Sequence, residues 1–285
     1  MMRVAIPNKG ALNGPAMQML KDAGFAVLDS PDATLRARCE DGRVEYLFVR
    51  AQDVTRYVEN GAAYAGITGR DMLLESSSTA RRVMDLGFGR CEIALAVPEG
   101  SGIRSAKDLS GKKIATKLSM ISSSYLSRNG VDAELVLLYG AVEIAPSAGL
   151  ADAIIDQVQT GRTLKANRMK KVEKITDSSA WLVATGRKEK GSEQILEEIA
   201  ISLAGVIKAK NLKYVAINAP SKKARDQIIG VLPSMESPTV LKLAKSEEWA
   251  VQTVVETSQL ATVIRKVKSA GGKDILVMSL DKAIP

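Results

Sequence analysis

"RVAIPNKGALNGPAMQMLKDAG", residues 3 to 24, decides the fold. RVAI is a short β-type run, PNKG (7–10) breaks it, and PAMQMLKDAG carries Met17, Leu20 and Lys21 at helical spacing before Gly24 supplies a C-terminal cap. A strand feeding a helix through a short break is one α/β unit, and the pattern recurs down the chain. Further strands are predicted at 44–49, 63–68, 92–97, 113–116, 133–138 and 180–185, with helical stretches between several of them. Pro98, Gly100, Gly102 and Gly111 cluster at a boundary, beyond which strand and helix alternate again as a second lobe. The chain is expected to return to the first lobe near residue 182 and enter a helix with Ile195, Ile199, Leu203, Val206 and Ile207 on one face. The expected organisation is a lobe of residues 1–91 and 182–210, a lobe of 92–181, and a module of 211–285.

That module repeats a different pattern. YVAIN is followed by KKARDQIIGVL, a loop PSMESPTVLKL, and WAVQTVVE, in which Trp249, Val251, Thr253 and Val255 alternate. A helix then places Leu260, Val263, Ile264 and Val267 on one face, Gly271 ends it, and DILVMSL closes the chain. The order β-α-β-β-α-β is that of a ferredoxin-like unit.

Composition narrows the chemistry. At 285 residues and 46% apolar content the chain can bury more than one core, and no apolar run reaches the roughly 18 residues of a bilayer span. Pro7, Asn8 and Lys9 interrupt the N-terminal segment before a signal-peptide core could form, so a cytoplasmic protein is expected. Cys39 and Cys91 lie far apart without metal-ligand spacing and are expected to be reduced. With no histidine, the commonest general base and zinc ligand and every Ser-His or Cys-His dyad are excluded. The net charge of +8, concentrated at Arg162 to Lys174, suggests an anionic partner. Nucleic acid is disfavoured by the 4% aromatic content and the lack of zinc-finger or RNP-type patterns.

DAIIDQVQTGRTL (152–164) carries the most chemistry. Asp152 to Gln159 is read as a helix with Ile154, Ile155 and Val158 inward, followed by a Thr160-Gly161-Arg162-Thr163 loop. In such a loop Gly permits close backbone approach, and N–H groups and Thr hydroxyls can cradle a phosphate. Asp156 would repel a phosphate alone but suits a ligand that also has sugar hydroxyls, or one that carries a cation. The alternative for this segment is a plain C-cap and turn. PNKG offers Lys9 and Gly10 where a helix begins, and GITGRD (66–71) offers Thr68 and Gly69 in a second Gly-x-Thr-Gly loop; for each, taken alone, a tight turn is the simpler explanation. Glu143 could accept from a sugar hydroxyl or be a paired surface carboxylate. Three phosphate-type loops in one α/β chain favour a phosphorylated small ligand. A two-lobed binder without enzymatic activity fits the same outline.

EIAPSAGLADAIIDQVQTGRTL (143–164) resembles the signature of the ATP phosphoribosyltransferases, the first enzymes of histidine biosynthesis, through Glu143, Gly149, Ala151, Ile154, Asp156, Thr160, Gly161, Thr163 and Leu164. RVAIPNKGAL, GITGRD, LGFGRCEIALAVP, GKKIAT, NAP, LPSMESPTVLKLA and WAVQTVVE look like the same family's segments in the same order. The resemblance implies a two-lobed core like that of periplasmic binding proteins, with a C-terminal ferredoxin-like, ACT-like regulatory domain that marks the long form. It implies that N1 of ATP displaces pyrophosphate from C1 of phosphoribosyl pyrophosphate, with magnesium, and that histidine inhibits by feedback. By the same resemblance Thr160, Gly161, Arg162 and Thr163 would hold the 5-phosphate, with Asp156 and Glu143 at the ribose hydroxyls. Lys9, Gly10, Thr68 and Gly69 would line the cleft where nucleotide and pyrophosphate meet, Lys9 sharing in catalysis with Asp156 and Glu143. Asn218 and Thr239 would contact histidine between copies of the last domain, in a homo-oligomer that exchanges between dimer and hexamer. Three departures stand out: Gln157 where relatives often have an aliphatic residue, Lys117-Leu118-Ser119 where they often have Tyr-Pro, and Asn218 where they often have Asp.

Overall fold

The computed structural model describes residues 1–28, 35–187, 189–233, 237–244 and 247–284. The chain divides into two compact units, one of residues 1–21 and 25–200 and one of 22–24 and 201–285.

In the first unit the chain runs β1 (Met2–Pro7), α1 (Asn13–Asp22), β2 (Arg36–Arg38), β3 (Val44–Val49), α2 (Val54–Glu59), β4 (Ala65–Gly69), α3 (Arg70–Glu75) and β5 (Arg81–Asp85). It continues through β6 (Cys91–Pro98), β7 (Lys113–Thr116), α4 (Ser119–Arg128), β8 (Glu134–Leu137), β9 (Ala153–Val158), α5 (Arg162–Ala166), β10 (Met169–Ser178) and β11 (Ala180–Ala184). The long α6 (Lys190–Lys210) straddles the division between the units.

Two sheets share this unit. One has the order β2-β3-β1-β4-β11-β5 and the other β10-β6-β9-β7-β8. Each is built on three parallel strands, β3-β1-β4 and β8-β7-β9, to which antiparallel strands are added. The chain crosses between sheets twice, from β5 to β6 and from β10 back to β11.

The segment 152–164 differs from its sequence reading: Ala153–Val158 is a strand, and no helix precedes the Thr-Gly pair. Ala153, Ile154 and Ile155 are fully buried because β9 is an interior strand, parallel to β7 and antiparallel to β6. An interior strand covered on both faces shows an apolar run instead of alternation, and a run this short does not distinguish strand from helix. The β-branched isoleucines then suit the pleated surface, each contributing about 1.5–3 kcal/mol of burial. Beneath, Ile93, Leu95, Ile114 and Ile155 pack with Leu118, Ile121 and Tyr125 from the α4 segment. GITGRD also lacks the expected loop, since β4 ends at Gly69 and α3 begins at Arg70.

The second unit adds β12 (Leu212–Ala219), α7 (Lys222–Val231), β13 (Thr239–Lys242), β14 (Trp249–Glu256), α8 (Leu260–Ser269) and β15 (Lys273–Ser279). The sheet order β13-β14-β12-β15, antiparallel throughout, is the ferredoxin-like βαββαβ arrangement. Val215, Ile217, Val251 and Val255 pack on Ile228, Val263 and Val267 of the two helices. The stretch 233–243, read from sequence as a loop, contains β13; residues 234–236 of it lie outside the described residues. Among the described residues no helix is long and apolar enough to cross a membrane.

Candidate active site

In open α/β sheets, ligands bind beyond the carboxyl ends of the parallel strands. The sequence-predicted residues of the first unit occupy those ends in both sheets. Lys9 and Gly10 follow β1, and Thr68 and Gly69 end its parallel neighbour β4. In the other sheet Lys117 follows β7, Glu143 sits on a 3-10 turn after β8, and Asp156 leads to Thr160–Thr163 after β9.

Helix α3 joins the two edges. The Asp71 carboxylate, 4% exposed, accepts hydrogen bonds from the Ser178 hydroxyl at 2.7 Å and from the Gln157 side-chain amide of β9. The Asp71 N–H returns to Ser178 Oγ at 3.0 Å, and the Arg70 guanidinium donates to the Asp177 carbonyl at 2.7 Å. Four residues on, the Glu75 carboxylate accepts from Ser119 Oγ at 2.9 Å and from the Met120 and Ile121 backbone N–H groups at 3.1 Å. Met72 and Leu74 pack against the core of the second sheet, so α3 extends one sheet's strand into the other's core. Gly69 has no room for a side chain, since a Cβ there would collide with the Asp71 carboxylate.

Asp156 lies beside this knot. Its Oδ1 faces Lys117 Nζ at 3.1 Å and accepts the Gln157 N–H at 2.7 Å. Gly161 adopts φ +70°, which turns the chain from β9 into α5 and leaves Thr160, Arg162 and Thr163 exposed. Ala141, also left-handed at φ +49°, introduces the turn that carries half-buried Glu143. Thr68 is fully buried and its hydroxyl donates to the Ala51 carbonyl at 3.0 Å, so it shapes the strand end with its hydroxyl already engaged. Lys9 is exposed, and no hydrogen bond or ion pair among the described residues ties it to the other predicted site residues. Cys91 is half-buried next to these groups; burial first, and the Asp71 charge second, push its thiol up to about 11.

Two cavities adjoin the edge. One of about 280 Å³ is lined by Thr160, Gly161, Leu164, Lys165 and Lys171 among others. The other, about 540 Å³, lies between Arg70, Arg90, Cys91, Gln159, Ser178 and Trp181. Asp156, Lys9 and Glu143 stand on the open edge outside both. The hydrogen bonds of Asp71 with Ser178 and of Glu75 with Ser119 are invisible to sequence reasoning because the partners are 44 to 107 residues apart in the chain.

The family model for ATP phosphoribosyltransferase matches residues 50–205, and that for the HisG C-terminal domain matches 209–282. The ATP phosphoribosyltransferase of Methanococcoides burtonii is 41% identical over the whole of both chains, and that of Methanopyrus kandleri 37%. The chain belongs to the ATP phosphoribosyltransferase family. Among solved structures, the Thermotoga maritima ATP phosphoribosyl transferase (HisG:HisZ) complex superimposes with a TM-score of 0.65 at 29% identity, over 74% of this chain and 99% of that one. A substrate-binding protein of an amino acid ABC transporter, 13% identical with a TM-score of 0.50 over 73% of this chain and 94% of that one, shares the fold alone. As a member of this family the protein is a transferase, and ATP and phosphoribosyl pyrophosphate are the family's substrates. The two-lobed core and the appended ferredoxin-like domain expected from the sequence are both present.

In the second unit the register sets Asn218, Ala250 and Leu241 side by side on the sheet face opposite the helices. Thr239 is exposed on that same face, two residues along β13 and separated from Asn218 by β14. Within one copy the two residues do not touch. Asn218 Nδ2 donates to Asp274 Oδ2 at 3.2 Å, which puts a carboxylate beside Asn218.

Proposed function

We propose that the protein joins N1 of the ATP adenine to C1 of phosphoribosyl pyrophosphate, releasing pyrophosphate and forming phosphoribosyl-ATP in the cytoplasm. The observation that carries this reading is the sequence of groups along one strand end: the Asp156 carboxylate on β9, then Thr160 and left-handed Gly161, with Arg162 and Thr163 opening α5 where the sequence reading had a loop. Thr160, Gly161, Arg162 and Thr163 would take the 5-phosphate on backbone N–H groups, hydroxyls and a guanidinium. Asp156 and Glu143 would accept the ribose hydroxyls.

The adenine N1 lone pair attacks C1 as the C1–O bond breaks, and the pyrophosphate leaves with that electron pair. The nucleophile is unprotonated, so no strong base is needed, in keeping with a chain that has no histidine. Rate would come from alignment of the two substrates and from stabilisation of a sugar cation and a departing polyanion. Lys9 with Gly10, and the β4 end at Thr68 and Gly69, would receive the nucleotide and the pyrophosphoryl group, with Thr68 acting through the backbone it fixes.

Magnesium would neutralise the pyrophosphate. Among the described residues no three acidic or thiol groups gather as a metal site, and Asp156 Oδ1 already has Lys117, so the ion is proposed to enter on the substrate. Histidine would bind the second unit between copies, near Asn218 and Thr239, with Asp274 supplying the negative charge, in a dimer and hexamer equilibrium. Asp156→Ala tests the site: the reading expects a higher KM for phosphoribosyl pyrophosphate or a lower kcat. A variant with both unchanged would remove Asp156 from the mechanism.

A further inference from the structure

We propose that Lys117 is the positioning residue for Asp156, fixing which carboxylate oxygen meets the ribose of phosphoribosyl pyrophosphate. The inference rests on the reading of Asp156 as a ribose-binding group.

The turn after β7 gives Lys117 little freedom. Thr116 and Leu118, on either side of it, are both fully buried. Thr116 Oγ1 accepts the Leu118 N–H at 2.9 Å and lies 3.1 Å from Ser122 Oγ, which pins the turn to the first turn of α4. Leu118 anchors in the core of the second sheet. Of the three residues only Lys117 points out, from a backbone whose direction is set on both sides. Pairing of Thr116 with Ile155 on the parallel strand β9 then brings Lys117 opposite Asp156.

The contact falls on the oxygen that the backbone already holds. Lys117 Nζ lies 3.1 Å from Asp156 Oδ1, which also accepts the Gln157 N–H at 2.7 Å. Oδ2 accepts no hydrogen bond among the described residues. Oδ1 is therefore held by one hydrogen bond and one ion pair while Oδ2 accepts no hydrogen bond among the described residues, so the carboxylate is orientated before substrate arrives. Pre-organisation of this kind removes the rotamer loss that binding would otherwise include. The Asp156 side chain is 15% exposed and that of Lys117 35%, so the pair is screened only in part.

The test measures phosphoribosyl pyrophosphate affinity by calorimetry and the KM for each substrate, on wild type, Lys117→Met, Lys117→Arg, Asp156→Asn and the Lys117→Met/Asp156→Asn pair. Loss of a partly exposed charged partner predicts about tenfold weaker binding of phosphoribosyl pyrophosphate in Lys117→Met. The ATP KM should stay within about twofold. Lys117→Arg should recover most of the affinity, and Lys117→Met should add little in the Asp156→Asn background, as coupled residues do. Unchanged affinity in Lys117→Met, or equal loss for both substrates, or full additivity with Asp156→Asn, would overturn the inference. Folded wild type that does not bind phosphoribosyl pyrophosphate would instead overturn the reading of Asp156 beneath it.

Discussion

Replacing Glu75 by alanine removes the cap of α4. The residue preceding that helix, Leu118, has no capping side chain, and Glu75 on α3 performs the role from a distance in sequence, accepting the Met120 and Ile121 N–H groups and the Ser119 hydroxyl. Loss of an N-cap acceptor costs about 0.5–2 kcal/mol. Loss of a carboxylate at the positive end of a helix costs a further ~0.3–1 kcal/mol. Together Glu75→Ala should destabilise the first unit by about 1–3 kcal/mol, which for a unit near 200 residues lowers Tm by roughly 2–12 °C. Glu75→Gln keeps one acceptor oxygen and loses the charge, so its loss should be about half as large. Helix α3 itself should persist, because Met72 and Leu74 remain packed against the second sheet. Urea unfolding of the two variants beside wild type measures the difference. A Glu75→Ala protein within about 0.3 kcal/mol of wild type would refute the capping argument, since that is below the weakest cap. So would a Glu75→Gln protein as unstable as the alanine variant.

Other expectations follow from single positions. Cys91, with its thiol raised by burial and by Asp71 to about 11, should alkylate slowly in native protein at pH 8 and faster only as pH approaches that value; alkylation as fast as in free cysteine contradicts this. The sign for stability follows: because the folded value lies above the ordinary 9.0, the contribution is complete below that pH and is lost as pH rises through about 11. In the second unit a Cβ at Gly272 would lie 2.5 Å from Val267 Cγ1 and 2.9 Å from its carbonyl oxygen, whereas one at Gly230 meets nothing within 4 Å. Gly272→Ala should therefore cost about 1–3 kcal/mol, while Gly230→Ala, within α7, should add about 0.5 kcal/mol; denaturation midpoints in the reverse order would refute the packing. Thr239→Ala should relieve inhibition by histidine and spare turnover, and unchanged sensitivity would take Thr239 out of the effector pocket.

The sequence made some elements plain and hid others for physical reasons. VEYLFV and KIAT stand out as strands because their apolar residues face the core between clear breaks, and both match β3 and β7 residue for residue. β9 departs from the helix its sequence suggests because an interior strand, parallel to β7 and antiparallel to β6, loses its alternation and leaves only a short apolar run. β10 was hidden by its lysines: MKKVEKITDS is an edge strand, and charged side chains there discourage pairing with another chain. Asp156, Thr160 and Gly161 lie close together in sequence and stay close at one strand end, but the loop expected over 160–163 stops at Gly161, because Arg162 and Thr163 open α5. The Asp71, Ser178 and Gln157 knot was not, because residues far apart in sequence meet only once the two sheets are in place. Lys117 and Gln157 were visible only as departures from the family's pattern, and the structure shows each engaged at the carboxyl edge.

Pyrophosphate release from phosphoribosyl pyrophosphate with ATP and magnesium, run with and without histidine, tests the central claim most directly. The account predicts release that requires ATP, is matched by phosphoribosyl-ATP, and falls when histidine is added. Absence of ATP-dependent release from folded protein would contradict the proposed reaction, and release indifferent to histidine would contradict the assigned role of the second unit.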